Sequence, residues 1–311
     1  MGSIRHVVSM KTFSRKEIDG IPDLADSLEA AAWGEKESHL LAGKVLATLF
    51  YEPSTRTRLS FECATLRLGG QVISVADAKR TSSVWKGETL ADTIRTIANY
   101  SDVIVLRHPQ SGAAALAAEV SSVPILNGGD GANEHPTQAL LDLLTIRRER
   151  GRIDGLTVAL VGDHKHSRVT NSLALALANY DVKLILVNPP SLAVSRETVE
   201  YVQGKGLSVE ETSDLGGPMK RADVVYIFRI QKERFASPEE YEKVKGAYQI
   251  DRTMVDAVGR DITIMHPMPR VDELSPDVDT YPGACYFRQS FNGVLLRMAL
   301  LAWVLDKVEL D

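Results

Sequence analysis

Hydroxyl and arginine side chains follow a proline turn within residues 50–58, which read Phe-Tyr-Glu-Pro-Ser-Thr-Arg-Thr-Arg. An apolar, strand-like run, Val45–Phe50, precedes the turn, and a helical pattern with Ser54 at its N-cap position follows it. The first turn of a helix presents unpaired N–H groups and the positive end of the helix dipole. Hydroxyls and a guanidinium add further donors. We therefore predict a phosphate site, the alternative being a capped helix with an exposed basic first turn. Its residues are Ser54, Thr55, Arg56 and Thr57.

The helix after this turn is expected to bury one apolar side. Its apolar positions are Leu59, Phe61, Ala64, Leu66 and Leu68. Cys63 lies on the same side in this interpretation, so we expect a buried structural thiol. Arg58 points away from Arg56 on a helix, which favours a structural salt bridge rather than a role in binding.

A glycine-rich segment, residues 128–138, follows another predicted strand and opens a helix. Its glycines permit tight turns and a close approach of the backbone to a ligand. His135 and Gln138 are three residues apart on one helix face. They could bind a polarised carbonyl and a neighbouring amide, although a loop that only caps the helix has the same pattern.

Two further polar loops have weaker signals. Residues 81–89 place Trp85 and Lys86 at a loop tip, which suits either contact with another surface or simple solvation. Residues 162–168 occupy the position of a dinucleotide-binding turn but contain a single glycine, which argues against a Rossmann dehydrogenase. His164 and His166 lack a third ligand nearby, so no metal is expected. Arg168 opens the next helix and could pair with a carboxylate.

Arginines recur where predicted parallel strands end. Arg107 and Arg229 end similar strand segments, and Gln231 follows the second. Residues 266–273 begin His-Pro-Met-Pro-Arg, where two prolines rigidify the turn and leave carbonyls free to accept from a ligand amine. Polar clusters at the carboxyl ends of parallel strands typically bind ligands. Their surplus of arginine indicates a small polyanionic substrate, whereas ordinary loop salt bridges are the alternative.

Strand and helix patterns alternate along the chain, which predicts an α/β protein. We expect two domains, each a mostly parallel β-sheet flanked by helices, joined by interdomain helices. A polar break at 151–155 places the boundary between domains 1–150 and 151–289, with a C-terminal helix in 290–311 packing back on the first. The predicted strands are 45–50, 72–75, 103–106, 123–126, 157–161, 183–187, 224–228 and 262–265. The predicted helices include 89–100, 113–120, 137–150, 167–179 and 290–308.

Composition narrows the function classes. The 311 residues carry a net charge of −5, which argues against a nucleic-acid partner. The 2 cysteines provide neither a disulfide framework nor metal-ligand spacing, which fits a reducing compartment. Without a membrane-length apolar run or a signal-peptide pattern, the expectation is a cytoplasmic protein with no membrane partner.

Together these motifs resemble the aspartate/ornithine carbamoyltransferase family over nearly the whole chain. Residues 54–58 look like its carbamoyl-phosphate signature and residues 135–138 like its second shared motif. Residues 229–234 and 266–270 look like the aspartate-using branch, and the Asp-x-x-x-Ser-Met-Gly and His-Cys-Leu-Pro segments expected of an ornithine enzyme are absent. Met268 stands where leucine is more usual, in a position whose family role is a backbone carbonyl, and Trp85 is also unusual.

The resemblance implies a transferase that carbamoylates L-aspartate, an early step of pyrimidine biosynthesis, without a cofactor. It implies phosphate contacts at residues 54–57, carbamoyl contacts at Arg107, His135, Gln138 and Thr55, and aspartate contacts at Arg168, Arg229 and Gln231. Pro267 and Met268 would offer carbonyls near the carbamoyl nitrogen. The catalytic set would be Arg56, Thr57, Lys86, Arg107 and His135.

Ser82 and Lys86 would reach into the site of a neighbouring subunit, which implies a homotrimer with shared active sites. Larger assemblies and regulatory chains stay open. The alternatives are a carbamoyltransferase for another amine such as ornithine, and a non-catalytic homologue, which should have lost several of the charged site residues that this chain retains.

Overall fold

A computed structural model describes residues 4–78 and 86–310 of the chain. Lys86 is therefore described, whereas the predicted site residue Ser82 and its neighbour Trp85 lie outside the described residues. The chain divides into two compact units. Unit 1 comprises residues 1–144 and 291–311, and unit 2 comprises residues 145–290.

Each unit contains one parallel β-sheet, which confirms the predicted α/β class. The strands of unit 1 are β1 Val45–Phe50, β2 Gln71–Val75, β3 Val103–His108 and β4 Ile125–Asp130, in the order β2-β1-β3-β4. The strands of unit 2 are β5 Thr157–Val161, β6 Lys183–Val187, β7 Ser208–Thr212, β8 Val224–Ile227 and β9 Thr263–Met265, in the order β7-β6-β5-β8-β9. In both sheets the strands that precede the predicted site loops are neighbours.

Helices alternate with the strands. Unit 1 contains α1 Arg15–Ser27, α2 Glu29–Trp33, α3 Thr55–Arg67, α4 Leu90–Ala98 and α5 Ala113–Val120. Unit 2 contains α7 Arg168–Leu177, α8 Arg196–Gly204, α9 Gly216–Arg221, α10 Pro238–Glu242 and α11 Arg252–Asp256. The long helices α6 Pro136–Arg150 and α12 Tyr286–Val304 each belong partly to both units. Short 3₁₀ turns lie at Met10–Thr12, Pro190–Leu192, Lys232–Arg234 and Pro276–Thr280.

Apolar side chains from strands and helices form a core in each unit. In unit 1, Leu49, Ile104 and Leu106 pack with Ile94 of α4. In unit 2, the strand residues Val161, Ile185, Ile227 and Ile264 pack with Tyr286. Because the central strands are covered on both faces, their near-continuous apolar runs were a reliable signal of parallel sheets.

The polar edge strand β7 was missed, because its sequence Ser-Val-Glu-Glu-Thr is mostly exposed and lacks an apolar run. β4 continues to Asp130, so Gly128 and Gly129 belong to a strand and not to the predicted loop. The last helix was predicted at 290–308, but it spans Tyr286–Val304. It ends at Val304, and Asp306 has a φ of 52°, a left-handed conformation that does not continue a helix.

Helix α3 buries fewer apolar residues than predicted. Phe61, Ala64 and Leu68 are buried, but Leu59 is 48% exposed and Leu66 is 62% exposed. Cys63 is only partly buried, so the prediction of a buried thiol was wrong. The helix packs on β1 and β2 with one side, and the opposite side retains apolar residues at solvent. Periodicity alone could not show which of the two apolar sides is covered.

Candidate active site

The predicted phosphate site lies at the start of α3. Thr55 is the first helical residue and Ser54 holds the N-cap position with extended backbone, but the Ser54 side chain makes no capping hydrogen bond. Thr55 and Arg56 are exposed and Thr57 is buried. Arg58 forms an ion pair with Glu62 at 3.2 Å, which confirms the predicted salt bridge. The exposed hydroxyl, guanidinium and helix N-terminus are a combination that suits an anion.

Arg107 lies beside this helix start because its strand pairs with β1. Residue Phe50, the last of β1, is the register partner of Arg107, and the Tyr51 N–H donates to the Arg107 carbonyl at 2.9 Å. Its guanidinium donates through Nη1 to the Gly128 carbonyl at 3.3 Å, and Nε lies 3.5 Å from Glu52 Oε2. Sheet pairing therefore brings Arg107 to the turn that precedes α3.

Thr57 and His135 meet inside unit 1. Thr57 Oγ1 lies 3.3 Å from His135 Nε2, and Thr137 Oγ1 lies 3.3 Å from the other ring nitrogen. Gly128 of β4 lies next to α3, since a Cβ on it would lie 3.5 Å from Thr57 Cγ2, an ordinary contact distance, and 3.3 Å from the Leu106 carbonyl of β3. Both hydroxyls can donate or accept, so the imidazole is oriented without being fixed in one tautomer.

The loop between β4 and His135 is held by buried carboxylates. Asp130 accepts hydrogen bonds from Asn127 Nδ2 at 2.9 Å and from the Glu134 N–H at 3.1 Å. Glu134 in turn accepts from Ser9 Oγ and from the Met10 N–H at 2.8 Å. These contacts satisfy backbone groups that a tight loop would otherwise leave unpaired, and they fix where α6 begins.

Gln138 lies one helical turn before a buried acid. Its Nε2 donates to Asp142 Oδ1 at 2.9 Å, and Asp142 is fully buried. Arg297 is also buried, donates to the Gly293 carbonyl at 3.0 Å and lies 4.9 Å from the Phe61 ring. Burial lowers the pKa of Arg297 to about 9, and the negative charge of Asp142 acts in the opposite direction. Because Gln138 Nε2 donates to Asp142, the amide nitrogen of Gln138 faces that carboxylate.

In unit 2, the loops after β5 and β8 are joined by hydrogen bonds. The Gln231 N–H donates to Asp163 Oδ2 at 3.2 Å, and its side chain donates through Nε2 to the His166 carbonyl at 3.1 Å. Gly162 allows this contact, because it has a φ of 129° and a Cβ there would lie 2.2 Å from the Phe228 carbonyl. Arg168, the first residue of α7, is buried. The structure therefore gathers the Arg168 and Gln231 segments at adjacent strand ends.

Arg229 forms a two-pronged contact with an acid on the same loop. Nη1 donates to Glu233 Oε2 at 3.0 Å and Nη2 to Oε1 at 2.5 Å. This hydrogen bonding raises the pKa of Arg229 and lowers the pKa of Glu233. The acid fixes the orientation of the guanidinium, whose five N–H donors exceed the two that contact Glu233 and suit a second carboxylate.

The turn after β9 contains Pro267 and Met268, both partly exposed. Met268 has a φ of 52° and precedes a cis proline. The Met268 N–H donates to His266 Nδ1 at 2.8 Å, and His266 Nε2 lies 2.7 Å from Glu273 Oε1. Burial, the largest single influence, favours a higher pKa of Glu273, but the hydrogen bond with His266, backbone hydrogen bonds and the charge of His266 together hold that pKa below its usual value.

The two other loop histidines have structural partners. His164 is buried, with Nε2 at 3.0 Å from the Leu160 carbonyl and Nδ1 at 3.1 Å from Thr170 Oγ1. His166 Nδ1 contacts Asp163 at 3.0 Å. Among residues 4–78 and 86–310, no group of three or more His, Cys, Asp or Glu side chains is placed to hold a metal ion. Over the same ranges, no helix has the length and apolar character needed to cross a membrane.

Comparison with known proteins decides the family. Residues 5–148 match the carbamoyl-phosphate-binding domain of the aspartate/ornithine carbamoyltransferases, and residues 154–304 match their aspartate/ornithine-binding domain. The chain belongs to the aspartate/ornithine carbamoyltransferase family. Both matched segments contain the site clusters described above, one in each unit.

Similar members of this family span nearly the same length. The aspartate carbamoyltransferase catalytic subunit of Thermococcus onnurineus (strain NA1) is 53% identical over 307 residues, which cover 98% of each chain. The crystallised catalytic subunit of M. jannaschii aspartate transcarbamoylase is 51% identical with a TM-score of 0.89, covering 97% of this chain and 98% of that one. The Trypanosoma cruzi enzyme in complex with N-(phosphonacetyl)-L-aspartic acid is 42% identical with a TM-score of 0.90, covering 96% and 95%.

Several residues of this carbamoyltransferase site were not singled out from the sequence. Asp142 and Glu233 each lie four residues after a predicted site residue, a spacing that predicts contact on a helical turn. Glu52 and Glu273 lie inside quoted motifs but were assigned no role. Arg297 had no sequence signal, because its contact with Phe61 joins distant parts of the chain.

Proposed function

We propose that this chain is an aspartate carbamoyltransferase. It transfers the carbamoyl group of carbamoyl phosphate to the α-amine of L-aspartate and yields N-carbamoyl-L-aspartate and phosphate. The observation that carries this proposal is the convergence of Thr57, Arg107 and His135 at the carboxyl ends of β1, β3 and β4 in unit 1. Relatives about half identical in sequence are named aspartate carbamoyltransferases, which supports the same reaction here.

Carbamoyl phosphate binds to unit 1 in this proposal. Ser54, Thr55, Arg56 and Thr57 hold the phosphate, for which the helix N-terminus and the exposed Arg56 are suited. Arg107 and His135 donate to the carbamoyl oxygen. Gln138 holds the carbamoyl amide: because its nitrogen is engaged by Asp142, its oxygen is the atom that can accept from that NH₂ group.

Aspartate binds to unit 2. Arg168 and Arg229 hold its two carboxylates, and Gln231 assists them. The contact of Arg229 with Glu233 supports this role, since it presents the guanidinium in one fixed plane. The carbonyls of Pro267 and Met268 accept hydrogen bonds from the carbamoyl nitrogen.

The neutral amine of aspartate attacks the carbamoyl carbon and forms a tetrahedral oxyanion. The bond between the carbamoyl carbon and the phosphate oxygen then breaks, and phosphate leaves with the bonding electron pair. The departing phosphate can accept the proton that the amine loses. No covalent intermediate with the enzyme is required. Arg56, Arg107 and His135 stabilise the negative charge that develops, and removal of one such donor typically costs about 10²–10³-fold in turnover.

A homotrimer with shared sites completes the proposal, with Lys86 and Ser82 contributed by a neighbouring chain. The described residues offer support, because Lys86 is exposed and unit 1 leaves Leu59, Leu66 and Ile73 at least 40% exposed on α3 and β2. Exposed apolar side chains on neighbouring elements suit a protein interface. The product also places this enzyme early in pyrimidine biosynthesis.

One assay tests the reaction. The purified protein is incubated with carbamoyl phosphate and either L-aspartate or L-ornithine, and the carbamoylated product and released phosphate are measured. We expect carbamoyl-aspartate with aspartate and only background phosphate release with ornithine. An Arg56→Ala variant controls for contaminating activity. Carbamoylation of ornithine in preference to aspartate would overturn the choice of acceptor. The absence of both carbamoylated products would overturn the proposal that the protein is a carbamoyltransferase.

A further inference from the structure

The turn at residues 267–269 has a single backbone donor. Pro267 and Pro269 lack an N–H, so Met268 carries the only amide hydrogen of the three. That N–H donates to Nδ1 of His266 at 2.8 Å. Met268 has a φ of 52°, a left-handed conformation that costs an ordinary residue about 1 kcal/mol or more. A side chain two residues earlier therefore holds an otherwise unfavourable backbone conformation.

The contacts of His266 determine its tautomer. A backbone N–H can only donate, so Nδ1 must present its lone pair to Met268. The proton of the neutral ring therefore lies on Nε2, which donates to Glu273 Oε1 at 2.7 Å. The His266 side chain is fully buried, which leaves it no solvent alternative to these two partners.

The partners of His266 are themselves held. Glu273 accepts from the N–H groups of Val271 and Asp272 at 3.2 Å each, so the carboxylate organises the loop that leaves the turn. The backbone N–H of His266 donates to Gln289 Oε1 at 3.1 Å, and Gln289 Nε2 donates to Tyr226 OH at 2.9 Å. The Nε2 end of the imidazole is thus tied to the buried Glu273, and the backbone of the same residue is tied to the buried Gln289.

We propose that His266 is a positioning residue that aims the Pro267 and Met268 carbonyls through its hydrogen bond to the Met268 N–H. This inference rests on the proposed function, in which those carbonyls accept from the carbamoyl nitrogen. His266 itself does not touch the substrate. It sets the direction of two acceptors, and a small rotation of the turn would misplace both, which is costly where catalysis depends on alignment.

Two amide substitutions, each of which mimics one ring nitrogen, separate the two ends of the ring. His266→Asn retains an acceptor near the Nδ1 position, whereas His266→Gln retains a donor near the Nε2 position and removes the acceptor for Met268. We expect His266→Asn to stay within about threefold of the wild-type kcat/KM for carbamoyl phosphate, and His266→Gln to lose about tenfold or more, the size of one lost hydrogen bond. Melting temperatures of both variants serve as the control for a merely structural role.

Amide hydrogen exchange followed by mass spectrometry provides a readout independent of activity. Because both neighbours are prolines, exchange within 267–269 reports the Met268 amide alone. We expect protection in the wild type and in His266→Asn, and loss of protection in His266→Gln. An unprotected Met268 amide in the wild type would overturn the proposed hydrogen bond between the Met268 N–H and His266, even if neither variant folds.

The outcomes keep the two proposals apart. A wild type that does not carbamoylate aspartate overturns the proposed function, and the positioning role with it. An active wild type whose two variants lose activity equally, in proportion to their loss of melting temperature, overturns only the role of His266. Slow turnover confined to His266→Gln at comparable stability supports that role.

Discussion

The hydroxyl of Thr57 lies 3.3 Å from Nε2 of His135, although the two residues are 78 positions apart in the chain. The contact joins the first turn of α3 to the start of α6. It links the residues proposed to hold the phosphate to a residue proposed to polarise the carbamoyl oxygen. Both side chains are buried, with exposures of 6% and 3%, so the contact is shielded from competing water.

Thr57→Val should lower kcat by about tenfold, because it removes a hydroxyl that orients His135 at nearly constant volume. Thr57→Ser, which retains the hydroxyl, should stay within about threefold of wild type. The matched control is Thr65→Val on the same helix, whose hydroxyl donates to the Phe61 carbonyl at 2.9 Å and has no proposed role in the site. Steady-state kinetics decide the matter, and a Thr57→Val enzyme as fast as Thr65→Val would contradict the expectation.

Arg229→Ala should abolish the use of aspartate while carbamoyl phosphate still binds. The loss of a two-pronged guanidinium should reduce the rate at low aspartate by at least about 100-fold. Calorimetric titration with carbamoyl phosphate should give an affinity close to that of wild type. Arg221→Ala, which breaks the exposed pair with Glu210 in the same unit, is the control and should behave as wild type. Equal weakening of both substrates in Arg229→Ala would refute the assignment to aspartate.

Mixed chains test the shared site. Arg56→Ala and Lys86→Ala should each be nearly inactive, and a mixture dissociated and reassembled together should regain activity. Recovery is expected because a site assembled from one chain of each kind can contain both native side chains. Each variant dissociated and reassembled alone provides the baseline. A mixture no more active than that baseline would show that Lys86 does not act across an interface.

His164 makes stability depend on pH. Burial lowers the pKa of His164 to about 4, from the 6.5 that it has when solvated. Between these values the unfolded chain binds a proton that the folded chain does not, so folding stability falls as the pH is lowered from about 6.5 towards 4. The expected loss is about 3 kcal/mol over that range.

His164→Gln should remove most of this slope, because glutamine retains a donor near Nε2 and does not titrate. Urea unfolding at pH 7 and pH 4.5 should show a wild-type difference about 2–3 kcal/mol larger than that of the variant. His39→Gln replaces an exposed histidine and should leave the wild-type difference unchanged. Identical differences in wild type and His164→Gln would contradict the burial argument.

Sequence predictions were accurate for buried strands, which have continuous apolar runs, and failed for an exposed strand that lacks such a run. The strands Val45–Phe50, Thr157–Val161 and Lys183–Val187 were predicted with the observed bounds, since buried parallel strands consist of continuous apolar runs. The exposed edge strand β7 lacks such a run and was missed. The exposed Leu59 and Leu66 show the converse limit, because apolar residues at a surface have the same pattern as those in a core.

The sequence by itself determined the family and predicted the chemistry of the site, because hydroxyl, arginine and histidine motifs are local features of a chain. The sequence did not determine which of these side chains contact one another. Strand pairing of β1 with β3 brings Arg107 beside the turn before α3, and the approach of α3 to β4 at Gly128 brings Thr57 to His135. Likewise, burial of His266 between Met268 and Glu273 fixes its tautomer. Only tertiary packing decided these contacts, because each depends on which groups exclude water and lie within hydrogen-bonding distance.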